Sequence, residues 1–205
     1  KGFSMSGIIA QNSGRHTGLV KAASGGGGVW NLIETLTASS DATLDFTSGI
    51  DSTYDEYVFK FINIHPETDG EYFQFQGNAV GGSGYNETIT STAIYYQHKE
   101  DGTDAEVGYA TGSDQAQGTA FQEIGRDVGG DNDQSLSGYL HLFNPSSDVF
   151  VKHFISTSTI YQDSDYSFGF RIGGYFNTTS AISEIQFQMS ADSIEAGTIS
   201  LYGIS

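Results

Sequence analysis

Within seven consecutive residues, Asp127-Val128-Gly129-Gly130-Asp131-Asn132-Asp133, the chain sets three carboxylates and an amide in a loop with two glycines. These are the hard oxygen donors that a Ca²⁺ ion requires, so Asp127, Asp131 and Asp133 are the candidate metal ligands and Ca²⁺ the candidate cofactor. The spacing is not that of an EF-hand, and a solvated acidic loop is the plainer reading. Asp163-Ser164-Asp165 is a weaker candidate of the same kind. Glycoside cleavage needs two carboxyl groups about 5 to 10 Å apart. Glu34 and Glu184 are the residues to examine, although among 25 acidic residues some pair will always fit. His141 and His153 share one face of the hairpin described below, where packed, hydrogen-bonded imidazoles compete with metal ligation. Tyr85, Tyr95, Tyr96 and Tyr161 could stack on the apolar face of a pyranose. Aromatic packing between sheets or subunits is their competing role.

Beyond these residues the chain holds no phosphate-binding Gly-Lys-Ser/Thr loop, no G-x-S-x-G elbow and no H-E-x-x-H pair, so the expectation is that it is not an enzyme. The formal charge of -17, from 25 acidic and 8 basic residues, repels a phosphate backbone, which argues against nucleic acid and against anionic membranes. No stretch approaches the roughly 20 apolar residues of a membrane span. With no cysteine there are no disulfides and no thiolate chemistry. The first ten residues have too short an apolar run for a signal peptide, and a start at Lys1 leaves open what precedes it.

The elements that must carry these residues are strands. With 27 Gly, 14 Phe, 12 Tyr and only 2 Pro, the composition is one of strands and turns, and 205 residues suffice for one sandwich or barrel. Residues 1–28 differ. They lack acidic residues and end in Gly25-Gly26-Gly27-Gly28, which reads as an N-terminal arm and glycine hinge before a β domain at 29–205. Twelve strands are expected, from Val29–Leu36 to Gly197–Ile204. The longest begins near Tyr54 and carries large residues on both faces: Tyr57, Phe59, Phe61 and Asn63 against Val58, Lys60, Ile62 and Ile64. Such a strand belongs in mid-sheet. Gln74 and Gln76 alternate with Phe73 and Phe75, and Gln186 and Gln188 with Phe187 and Met189, so two strands should each have a wet face.

The clearest hairpin joins Leu136–Phe143 to Val149–Ile155 through Asn144-Pro145-Ser146-Ser147-Asp148. With Phe143 opposite Val149, one face holds Tyr139, His141, Phe143, Val149, Val151 and His153, and the other Leu140, Leu142, Phe150, Lys152 and Phe154. A two-sheet domain covers one such face. The other is then an oligomer contact, with threefold symmetry favoured for a particle appendage. The expected fold is an all-β, antiparallel two-sheet sandwich, jelly-roll-like, with an up-and-down barrel as the alternative.

Four phrases, Leu44-Asp45-Phe46-Thr47-Ser48-Gly49-Ile50-Asp51-Ser52-Thr53-Tyr54-Asp55-Glu56-Tyr57, Gly138-Tyr139-Leu140-His141-Leu142-Phe143-Asn144-Pro145-Ser146, Asn177-Thr178-Thr179-Ser180-Ala181-Ile182 and Gly197-Thr198-Ile199-Ser200-Leu201-Tyr202-Gly203-Ile204, give the chain its resemblance to β-rich virion structural proteins of tailed, marine-type bacteriophages. The resemblance spans roughly residues 30 to 205 and transfers no site residues. It implies a non-enzymatic component of the virion surface: a capsid-decoration protein, a head or tail fibre, or a tail appendage. Its partners would be other virion proteins, met through the N-terminal arm, and further copies of itself. The alternative function is a carbohydrate-binding module that attaches to a host-surface glycan, and after that a polysaccharide-cleaving enzyme.

Overall fold

The computed structural model describes residues 29–205, and the arm and hinge expected at 1–28 lie outside the described residues. The described residues form thirteen strands and no helix: β1 (Trp30–Thr37), β2 (Thr43–Phe46), β3 (Glu56–Pro66), β4 (Glu71–Ala79), β5 (Ile89–Lys99), β6 (Ala105–Tyr109), β7 (Ala116–Gly118), β8 (Gln122–Val128), β9 (Leu136–Phe143), β10 (Lys152–Tyr161), β11 (Tyr166–Phe176), β12 (Ile182–Met189) and β13 (Ile194–Ile204). They make an antiparallel β-sandwich of two unequal sheets. One has nine strands in the order β1-β13-β3-β9-β10-β11-β5-β6, with β7 also paired to β5. The other has four, in the order β2-β12-β4-β8. The chain crosses between the sheets repeatedly, as a jelly-roll does.

The long strand β3 lies in mid-sheet, between β13 and β9. Tyr57, Phe59 and Phe61 point into the core, as their period predicts. Asn63 and Ile64 do not follow that period. The ladders to β9 and β13 both slip near Asn63, whose φ is +52°, and one extra residue exchanges the faces of everything beyond it. Ile64 is therefore fully buried. Gly197 answers the slip from β13: at φ +117°, a Cβ there would stand 2.5 Å from the Asn63 carbonyl oxygen.

The hairpin differs from expectation in its register. Phe154 pairs with Leu142 and Ile155 with His141, so β10 starts at Lys152 and residues 144–151 form a longer connection. In this connection the Ser147 hydroxyl accepts the N–H groups of Val149 and Phe150. The shift is an even number of residues and preserves the faces: Leu140, Leu142, Lys152 and Phe154 are buried, while Tyr139 and Ile155 point outward. Phe150 is the exception. It lies in the loop, 69% exposed, and not in the core. Lys152 is fully buried, and its ammonium donates to the carbonyls of Phe150 at 2.7 Å and Thr178 at 3.2 Å. Burial pushes its pKa down, against the pull of Asp148. Gln76 also departs from the wet face expected of it. Its amide is buried, donating to the carbonyls of Glu87, Thr119 and Ala120, because loops cover that end of the four-stranded sheet.

Between the sheets lies an aromatic cluster. The Phe187 ring from β12 packs within 5.3 to 6.2 Å of the rings of Phe46, Phe59, Phe61, Phe73 and Phe75. Phe59 and Phe61 come from the large sheet and the others from the small one, so a single side chain joins both layers. Phe187→Ala leaves a cavity at this junction and should lower unfolding free energy by about 3 to 5 kcal/mol in urea titration. A loss under about 1 kcal/mol would contradict the place given to this ring.

Candidate functional site

Four strands cannot cover nine. The edge strand of the small sheet, β8, packs over β10 and β11, so the inner faces of β5 and β6 extend past it. At this open edge Tyr95, Gln97, Tyr109, Ala110, Thr111, Arg126, Asp127, Gln162 and Phe168 line a cavity of about 290 Å³. Tyr95 and Phe168 stack with ring centres 5.5 Å apart and planes 8° from parallel. The hydrogen bond from Tyr95 to the Glu106 carboxylate, helped by desolvation, raises the phenol's pKa. Gln162 is buried and donates to the Arg126 carbonyl at 3.2 Å.

Asp127 and Arg126 are consecutive, and in a regular strand their side chains would point to opposite faces. Both reach the cavity because the ladder between β4 and β8 is irregular and Asp127 takes φ +49°. The conformation is held from outside the sheet. The Asp127 carbonyl accepts from the Asp163 N–H at 3.2 Å, and Val128 bridges to Gln162. Burial pushes the Asp127 carboxyl above the usual carboxylate range, the Arg126 guanidinium opposes that shift, and Asp163 adds to it. Arg126 lies over the Tyr72 ring at 5.5 Å, and its Nε is buried without a hydrogen-bond partner.

The remaining candidates are dispersed. Asp131 and Asp133 are exposed on the loop after β8, where the Asp131 N–H donates to the Gln134 side chain. Among the described residues no three His, Cys, Asp or Glu side chains gather as a metal site, so Asp127, Asp131 and Asp133 do not converge on an ion. Glu34 lies in the nine-stranded sheet and Glu184 in the four-stranded one. Glu184 instead meets Tyr85, whose burial, with the charges of Asp45 and Glu184 beside it, pushes the phenol pKa to about 12. Glu184 also accepts from Asn78 at 2.9 Å, and Asp45 is held by Thr43 and Gln186. His141 is hydrogen-bonded to Glu56, and His153 packs against Tyr175 at 5.7 Å. Tyr161 is half-buried beside a different cavity, with Glu100 and Ser135.

A second feature is a surface. On the outer face of the nine-stranded sheet, Trp30, Leu32, Ile62, Tyr139, Ile155, Ile94, Tyr96 and Val107 are all exposed, and they run from one edge of the sheet to the other. The Tyr96 ring lies across Gly169, where a Cβ would stand 2.0 Å from it. Gly173 opens a groove of about 220 Å³ lined by Ile155, Ile94 and Arg171. Lys60 and Arg171 are basic residues on this face, which also carries Glu56, bonded to His141.

No family model matches the sequence, and no characterised protein matches it significantly. Among solved structures the chain has faint likenesses to alginate lyase A1-II′ of polysaccharide lyase family 7 (9% identity, 78% of this chain and 66% of that one, TM-score 0.18). It has similar ones to the infectious bursal disease virus VP2 subviral particle (12% identity, 83% and 40%, TM-score 0.16) and to the Gx strain of that virus (12%, 83% and 40%, TM-score 0.18). The chain spans less than two thirds of each of these chains. All are β-rich, and at such scores they decide neither activity nor partner.

The Asp127 carboxyl yields a prediction with a definite sign. Its folded pKa lies above the ordinary 3.8, so the native state binds the proton more tightly, and stability present below pH 3.8 is lost as pH rises through the folded value. Asp127→Asn keeps a residue that tolerates positive φ and removes this loss. In urea titrations the variant should therefore gain on the wild type as pH rises from about 3.5 to 7. A gap that stays constant across that range would contradict the buried carboxylate.

Proposed function

We propose that the protein is a non-enzymatic structural component of a virus particle, of the tailed-phage kind that its sequence resembles, and that copies of it meet through the outer face of the nine-stranded sheet. The observation that carries this reading is the set of exposed apolar side chains that this face carries on strands from one edge to the other. Large exposed apolar patches on soluble domains mark contact sites. Eight laterally paired strands at about 4.8 Å spacing and some eight residues each give an area of roughly 900 Å², against about 800 Å² per partner in a standard interface.

Charge selects the occupant. A chain with net charge -17 repels its own copies. On this face the exposed apolar side chains alternate with Thr92, Thr157 and Thr159 and with the basic Lys60 and Arg171, and the Glu56 carboxylate on it is hydrogen-bonded to His141. A face that meets the same face of its own copy forms a twofold, isologous pair, so this face favours a dimer over the threefold arrangement expected from the hairpin alone. Attachment through residues 1–28 and a place on the virion surface complete the proposal.

Two measurements test it. The protein should co-purify with particles at a fixed copy number relative to the major capsid protein, and absence from particles would overturn the virion assignment. In sedimentation the wild type should be a dimer at micromolar concentration. Tyr139→Asp with Ile155→Asp should weaken the pair about a hundredfold or more while leaving a cooperatively melting monomer. A monomeric wild type, or an unaffected double variant, would contradict the interface.

A further inference from the structure

We infer that the end of the sandwich carrying Val80, Val149 and Phe150 is a docking surface for a different protein of the particle, with the Phe150 ring seated in an apolar pocket of that partner. The inference rests on the virion reading above and adds a contact away from the outer sheet face.

The two ends of the sandwich differ in chemistry. At one end the loops 38–42, 67–70, 100–104, 129–135, 162–165 and 190–193 hold eleven carboxylates and no basic residue. At the other end the loops 47–55, 80–88, 119–121, 144–151 and 177–181 hold four. Two of these are engaged within the fold, Asp51 by Thr53 and Tyr57 and Glu87 by the Ala79 N–H. This less charged end presents Val80, Val149 and Phe150, which are 63 to 69% exposed. Residues 1–28 join the body there too, because β1 begins at this end with Val29 paired to Ser205. They hold three of the eight basic residues and none of the 25 acidic ones.

The loop that carries Phe150 is tied down before any partner arrives. The Ile182 N–H donates to the Pro145 carbonyl at 2.9 Å and the Val80 N–H to the Ala181 carbonyl at 2.8 Å, so three loops are joined. The Ser147 hydroxyl accepts the Val149 and Phe150 N–H groups, and the fully buried Lys152 ammonium donates to the Phe150 and Thr178 carbonyls. A buried ammonium costs free energy that an apolar side chain of similar volume would not. What it holds in place here is the backbone of a phenylalanine that stands outside the core. An aromatic side chain on a backbone fixed in advance loses less freedom on binding, and such residues anchor interfaces.

Charge and chemistry select the occupant. Two copies meeting through this end would bring their basic N-terminal segments together. The loops at the acidic end of a second copy contain no Val, Ile, Leu, Met or aromatic residue to receive the ring. A different protein, with an apolar pocket for Phe150 and carboxylates for residues 1–28, fits both features. β1 stands four strand spacings from β10, roughly 19 Å, so one partner can meet the loop and the N-terminal segment together.

The test uses the full chain in assembled particles. With p-benzoylphenylalanine in place of Phe150, irradiation should join this position to a different virion protein, while the same group in place of the exposed Asn132, at the acidic end, should join to none. Val149→Ser with Phe150→Ser should lower the copy number per particle about tenfold or more, with melting and dimer unchanged. Lys152→Met should melt no lower than the wild type and yet be incorporated severalfold less, which a purely structural lysine would not produce. If Lys152→Met does not fold, the Val149 and Phe150 variant decides. Cross-links from position 150 only to copies of this chain or to lipid would overturn the inference. Wild type absent from particles would refute the virion reading and the docking with it, whereas full incorporation of the Val149 and Phe150 variant beside wild type would refute the docking alone.

Discussion

The packing of Phe187 against rings from both layers holds a four-stranded sheet onto a nine-stranded one, and this mismatch in width governs the rest of the molecule. Burial of each phenylalanine contributes on the order of 2 to 3 kcal/mol, so the sheets are committed to one overlap, centred on β3, β9 and β10. What the small sheet leaves uncovered cannot be rescued by sliding, since an odd shift in register would turn the aromatic residues to solvent. The uncovered inner faces of β5 and β6 become a cavity wall. The outer face of the large sheet, which nothing in the fold covers among the described residues, becomes a candidate contact surface.

Local irregularity then does what regular strands cannot. The slip at Asn63 and Gly197 lets β3 bury Ile64 after three inward aromatics, and the positive φ of Asp127 brings two consecutive charged residues into one cavity. In both places neighbouring backbone holds the strained residue: β13 against Asn63, and the β10–β11 turn against Asp127. Free energy spent there is returned as packing in the first case. In the second, Arg126 and Tyr72 offset only part of the desolvation of Asp127, and the Arg126 Nε is left without a hydrogen-bond partner.

Periodicity made most of the architecture legible. β9, β11 and β12 begin and end where alternation and turn residues place them, and β3 lies in mid-sheet because both its faces are bulky. The short β7 carries too few residues to show a period. The hairpin kept its faces but not its register, since Ser147 organises a longer connection than Asn-Pro suggests. Of the cavity, Asp127 and Tyr95 were visible as residue types. Arg126, Gln97, Gln162 and Phe168 were not, because their convergence depends on a bulge and on where β8 stops, and neither leaves a mark in composition or spacing. The acidic run from 127 to 133 looked like one site and is two environments, a half-buried carboxylate and an exposed loop.

The claim on which the proposed function rests is that the outer face of the nine-stranded sheet is a contact surface between copies. Hydroxyl-radical footprinting of the intact chain across a range from about 10 nM to about 50 μM measures this directly. Oxidation of Leu32, Tyr139 and Ile155 should fall together as concentration rises, while Val149 and Phe150, exposed on the loop after β9, stay fully reactive. Unchanged reactivity of the sheet residues, or protection confined to Val149 and Phe150, would contradict the account.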